Sequence, residues 1–250
     1  MDNSRAFTLI ELLVVIAVMT LLMAILLPSL AKARDRAKSV QCLSNLRQLA
    51  IAARAYTTAY DGLFPIATDH ANDWDLTTIN TPNGPVKAPG ILYGLPGTTS
   101  TTMLKIFQCP VYSLASDPAA LFTGYNYNTS FIGHGLGEPI TTPARDTQLQ
   151  HPSTTALFGD AQGITGPNKF MRCPLKPAPG EYGDASPAFG NSLRAAGTQA
   201  FRHAHKTNLA YADAHAETLP THPTPPPAYL PLLAPNTGFL SSDNSAYTLR

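Results

Sequence analysis

Phe7-Thr8-Leu9-Ile10-Glu11-Leu12-Leu13-Val14-Val15-Ile16-Ala17-Val18-Met19-Thr20-Leu21-Leu22-Met23-Ala24-Ile25-Leu26-Leu27-Pro28-Ser29-Leu30 carries a single charge, at Glu11. As a helix rising 1.5 Å per residue it is about 36 Å long, enough to cross a hydrocarbon core of roughly 30 Å. A secretory signal peptide predicts a shorter apolar core, about 7–15 residues, ending at a small-residue cleavage site. Here the run leads into Pro28-Ser29-Leu30-Ala31-Lys32 instead. A plain uncleaved anchor leaves Glu11 unexplained. A carboxylate near the centre of a span costs about 2.5–3.5 kcal/mol, and less near its end. The bland account places Glu11 at headgroup level; the functional one gives it a partner.

Beyond the apolar run the pattern stays helical to about Tyr60. Leu30, Ala33, Ala37, Val40, Leu43, Leu46, Leu49, Ala53, Tyr56 and Tyr60 recur at three- and four-residue spacing, which predicts one apolar stripe. Lys32, Arg36, Arg47 and Arg54 are left to face solvent. Pro28 removes one backbone hydrogen bond and predicts a kink rather than an end. Asp61-Gly62, followed by Pro65, predicts the break.

From Phe64 onward the chain reads as short strands and turns. Leu104–Pro110, Thr154–Asp160 and Asn208–Ala212 are strand-like, and Asp213-Ala214-His215 reads as a turn into Ala216–Leu219. Asn83–Gly97 and Pro174–Gly190 read as loops, and Pro220–Pro235 as part of an extended Pro-rich tail. The 250 residues, with 23 Pro and 17 Gly, fit one anchor and one loop-rich head. The expected fold class is α+β, a long N-terminal helix on a small antiparallel sheet. Net charge is +1 with only 13% charged residues, so nothing suggests a nucleic-acid surface. Cys42, Cys109 and Cys173 show no C-x-x-C or Cys/His zinc spacing. An extracytoplasmic head allows one disulfide, assigned to Cys109 with Cys173. His203, His205, Asp213 and His215 are candidate metal ligands. The preferred reading of that stretch is a hairpin whose Asp caps a turn, with no metal and no cofactor. No serine or cysteine in a nucleophile setting supports catalysis.

Ala6-Phe7-Thr8-Leu9-Ile10-Glu11 resembles the type IV prepilin processing site, with Ala6 where that family usually has Gly. The resemblance implies cleavage between Ala6 and Phe7 by a prepilin peptidase, N-methylation of Phe7, and a role for Glu11 in assembly. Buried among apolar helices, the Glu11 carboxylate would be neutralised by the α-amino group of a neighbouring subunit's Phe7. Cys42-Leu43-Ser44-Asn45-Leu46-Arg47-Gln48-Leu49, Gly124–Asn128 and the nine-residue gap between His203 and Asp213 resemble planctomycete-type pilin-like proteins with a C-terminal H-x9-DG motif. Ala214 stands where that motif has Gly, and a turn of another type is therefore expected.

The implied organisation is a leader (1–6), a transmembrane or filament-core helix (7–30), a helical stalk (31–62), a β-rich head (63–219) and a Pro-rich tail (220–250). The implied function is a pilin or pseudopilin of a type IV pilus or type II secretion filament. Its expected partners are prepilin peptidase, the inner membrane and other subunits through the N-terminal helix. Lys32, Arg34, Arg36 and Lys38 follow the span while only Arg5 precedes it. That asymmetry alone puts the head in the cytoplasm; the resemblance implies an extracytoplasmic head, and the motif is the more specific signal. The alternative is a membrane-tethered metal-binding or enzymatic module with an uncleaved anchor.

Overall fold

The computed structural model describes residues 8–69, 72–81, 84–94, 106–112, 124–134, 142–162, 169–175, 198–220, 233 and 236–249. The chain divides into two compact units, residues 1–38 and 39–250. Helix α1 (Leu9–Ala59) runs through Pro28 without a break in its assignment. The proline has no N–H for the Ala24 carbonyl, which loses one bond out of a long ladder.

In the first unit every large apolar side chain of α1 is exposed, from 42% at Val15 to 79% at Leu9. The helix is long and apolar enough to cross a membrane. Its start is a capping box. The Thr8 amide and hydroxyl both donate to Glu11 Oε2 at 2.8 Å, and the Glu11 amide donates to Thr8 Oγ1 at 3.3 Å.

In the second unit Cys42, Asn45, Leu46, Leu49, Ala50, Ala53 and Thr57 form the buried face of α1. The stripe read from the sequence is rotated: Val40 is 67% exposed and Tyr60 is also exposed, while Cys42 and Asn45 turn inward. Asn45 explains the shift, because its amide donates to Tyr125 Oη and to the Gln108 carbonyl, both at 3.2 Å. A hydrophobicity pattern cannot see a polar residue that is buried because it is satisfied. The helix ends where expected. Gly62 N–H reaches back to the Thr57 carbonyl at 2.8 Å, with Asp61 and Gly62 at φ +51° and +78°, a Schellman-type close.

The strands are β1 (Thr68–Asp69), β2 (Asn72–Asp73), β3 (Leu76–Thr81), β4 (Gly84–Pro89), β5 (Tyr125–Asn128), β6 (Ala156–Gln162), β7 (Phe170–Met171), β8 (Thr198–Ala200), β9 (Thr207–Tyr211), β10 (Ala216–Leu219) and β11 (Thr237–Gly238). The main sheet has the order β10-β9-β6-β5-β7, with β8 beside β6 and β11 beside β8. It is mixed rather than purely antiparallel, because β7 pairs parallel to β5. β6 is its axis: Ala156–Gly159 pair with β9 and Ala161–Gln162 with β8. β8 and β9 therefore occupy the same flank of β6, and the segment between them lies opposite Asp160.

Three further sequence expectations change. Gly84–Pro89, read as loop, is the second strand of a β3–β4 hairpin; Pro85 and Pro89 are tolerated because this sheet has only two strands, both of them edges. The described part of Leu104–Pro110 forms no strand. Phe107 and Cys109 are buried alternately, as a strand would bury them, but the backbone turns at Cys109, whose carbonyl accepts the Tyr112 amide at 3.1 Å. The final stretch joins the head: Phe239, Leu240, Tyr247 and Leu249 are buried, and the Ala246 carbonyl accepts the Ala156 amide at 2.8 Å. The span 176–190, read as loop, and nearly all of the Pro220–Pro235 stretch lie outside the described residues.

The core gathers α1 residues Leu46, Leu49 and Ala53 with Trp74, Phe107, Tyr125, Tyr127, Phe131 and Phe158. Trp74 packs its ring 5.1 Å from Phe158 and donates its indole N–H to the Lys169 carbonyl at 3.1 Å.

Candidate functional site

Two regions carry the residues that matter, one in each unit. Ala6 and Phe7 lie outside the described residues. Glu11 sits in the first turn of α1 as the acceptor of the capping box, one residue from the exposed Ile10 and Leu12. The T-x-x-E spacing that produces this cap is visible in the sequence, but it is hidden inside the prepilin-like spelling.

The second region is the stretch from Arg202 to Glu217, which the structure splits into an inner and an outer half. The outer half is the β9–β10 turn. Asp213 Oδ1 accepts the His215 amide at 3.0 Å and lies 2.5 Å from His215 Nδ1. The His215 ring stacks on Tyr211 with centroids 4.3 Å apart. Burial alone would raise the Asp213 pKa; the bonds from His215 outweigh it and hold the carboxyl below its ordinary value. Ala214 takes φ +71°, in the left-handed region that favours glycine. The His205 side chain is exposed, on the turn that carries His203, and does not join the buried groups.

The inner half is His203. His203 and Lys206 exchange backbone hydrogen bonds at 3.1 and 3.2 Å across Ala204 and His205, both at positive φ (+52° and +61°). This is the geometry of a type I′ hairpin turn, built here without glycine. It interrupts the flank of β6 between β8 and β9 and turns His203 inward, its side chain 1% exposed. His203 Nε2 lies 3.3 Å from Asp160 Oδ2. Asp160 Oδ2 accepts the Asn208 amide at 2.7 Å, and Oδ1 lies 3.0 Å from Cys42 Sγ. Cys42 Sγ is 3.7 Å from Cys109 Sγ. The four ligand-type atoms all lie within 4.8 Å of one another, and all four residues are buried.

The structure does not bring Cys109 to Cys173: none of the three cysteines is in a disulfide, Cys109 faces Cys42, and the Cys173 thiol donates to the Leu175 carbonyl at 3.0 Å. Gly124 makes room for Cys109. A Cβ there would lie 2.7 Å from Cys109 Cβ, and its φ of +93° disfavours any other residue.

Burial pushes the Cys42 thiol up, and the hydrogen bond from Cys42 pulls Cys109 down to about 5. Burial opposes charge on His203, yet Asp160 and Cys109 hold it at about 9. The four side chains meet in a buried pocket, where charge on any one of them acts strongly on the others. No spacing rule finds it, because the four residues come from α1, the Phe107–Tyr112 turn, β6 and the β8–β9 connection.

Residues 1–27 match the prokaryotic N-terminal methylation motif. The match covers Ala6, Phe7 and Glu11 and ends one residue before Pro28. It identifies a prepilin-type processing segment and supports a type IV pilin-like protein anchored through its apolar helix. No curated protein and no solved structure matches the chain.

Proposed function

We propose that the chain is a structural subunit, a pilin or pseudopilin, of a type IV pilus or type II secretion filament. On this reading it is cut between Ala6 and Phe7 and N-methylated at Phe7 by prepilin peptidase. It is held first in the inner membrane with its head outside the cytoplasm. The observation that carries the reading is a coincidence of position: the methylation motif over residues 1–27 overlies the part of α1 whose apolar side chains are all exposed. Such a surface requires lipid or other apolar helices around it. Extraction from the bilayer into a filament exchanges one for the other, and packing between helices supplies the contacts that lipid gave up.

Glu11 then has two possible duties, capping its own helix and accepting a neighbour's α-amino group. Glu11→Gln separates them, because Gln also completes a capping box but carries no charge. If charge pairing sets the register, Glu11→Gln is processed normally and is depleted from sheared filaments. Filament incorporation equal to wild type would remove the charge-pairing role.

A further inference from the structure

We propose that Cys42, Cys109, Asp160 and His203 form a zinc(II) site that locks the stalk helix to the head sheet within residues 39–250. The proposal uses only the geometry of the second unit and does not depend on the filament reading.

Two of the ligand-to-ligand distances match those of a tetrahedral shell, and the remaining atoms lie close enough to join it after small side-chain shifts. With Zn–S near 2.3 Å and Zn–N or Zn–O near 2.0–2.2 Å, ligand atoms at tetrahedral angles lie about 3.7 Å apart for two sulfurs and about 3.3 Å for nitrogen and oxygen. The Cys42–Cys109 Sγ separation is 3.7 Å and the His203 Nε2–Asp160 Oδ2 separation is 3.3 Å. Two thiolates, an imidazole and a carboxylate form a donor set suited to zinc, whereas magnesium and calcium take oxygen. Four protein ligands with no solvent-open position make the site structural rather than catalytic.

A second observation points the same way. Neither ring nitrogen of His203 meets hydrogen-bond geometry: Nε2 has only the 3.3 Å ion-pair contact with Asp160 and Nδ1 has no partner, although the side chain is almost wholly buried. An orphaned buried polar group is costly. A cation bound at Nε2 removes that cost at one of the two nitrogens and also meets the two sulfurs and the carboxylate. Zinc binding displaces to solvent the protons held on the two thiols and on Nε2, leaving Cys–, Cys–, Asp– and neutral His around Zn²⁺, a net charge near −1. The Arg202 side chain sits against this pocket: its Nη1 lies 3.3 Å from a Cβ position at Gly124, beside Cys109, and its guanidinium lies over the Tyr112 ring. It supplies the balancing positive charge. Asp160 is oriented by the Asn208 amide, as an outer-shell donor fixes a ligating carboxylate.

The rival arrangements are a metal-free hydrogen-bonded cluster and a Cys42–Cys109 disulfide, which would require the sulfurs to close to about 2.05 Å. The test uses the full-length chain purified in detergent under reducing conditions. Elemental analysis should give about one zinc per chain. Exchange of zinc for cobalt(II) should produce visible bands of tetrahedral cobalt with a thiolate charge-transfer component. Cys42→Ser and His203→Ala should abolish those bands, and Cys173→Ser should keep them. Because a core variant can unfold the head by itself, the wild-type chain provides the deciding arm. Stripped with a chelator and incubated with zinc, it should recover the metal, and Cys42 and Cys109 should then resist alkylation until chelator is added again. A reduced, folded wild-type chain that takes up no zinc or cobalt overturns the proposal. A Cys42–Cys109 disulfide in protein recovered from its native membrane without reductant overturns it equally.

Discussion

Ala214 shows how a single residue can stand against its own backbone. It holds φ +71° at the turn between β9 and β10, where a Cβ costs about 1–2 kcal/mol. The turn survives because Asp213 accepts the His215 amide and because the Asp213 amide donates to the Pro152 carbonyl at 3.1 Å. Ala214→Gly should relieve the strain at some cost in unfolded-chain entropy. The expected net gain is about 0.5–1 kcal/mol, read as a raised melting temperature of the detergent-solubilised chain. An unchanged or lowered midpoint would mean that the Ala214 methyl contributes packing that offsets the strain. The turn position is legible in the sequence; the support from Pro152, far away in the chain, is not.

At the scale of elements, α1 is the part most legible in the sequence. Its length, its apolar first half and its end at Asp61-Gly62 follow from uninterrupted periodicity and a glycine stop. The rotation of its buried face does not, because Asn45 is buried by its hydrogen bonds to Tyr125 and Gln108 rather than by apolarity. The stop itself can be tested. Gly62 takes φ +78°, and a Cβ there would lie 2.7 Å from Asp146 Oδ1. That oxygen ends a flexible side chain and can move, so the backbone strain dominates, and Gly62→Ala should destabilise the head by about 1–2 kcal/mol in thermal melts. A neutral result would place the helix stop in the Arg145–Asp61 ion pair, at 2.9 Å, instead. The β3–β4 hairpin and the packed C-terminal stretch were not legible. Prolines mask the first, and the second is fixed by long-range contacts such as Asn128 Nδ2 to the Tyr247 carbonyl at 2.9 Å.

At the scale of the whole molecule the two units are built on opposite principles. Residues 1–38 present apolar surface with nothing of their own to cover it, whereas residues 39–250 bury a dense aromatic core and a polar cluster. The first was readable from composition and motif. The second was not, since Cys42, Cys109, Asp160 and His203 are separated by dozens of residues and converge only when α1, β6 and the β8–β9 turn are in place. If the cluster binds zinc, chelation should lower the melting temperature of the wild-type chain and leave that of Cys42→Ser unchanged. Equal shifts in both would assign the effect to chelator rather than to this site. Prepilin processing of the first unit is read directly from the N-terminal mass of the mature protein in its native membrane. A processed chain begins at Phe7 and carries one added methyl group. A chain that still begins at Met1 would contradict prepilin processing.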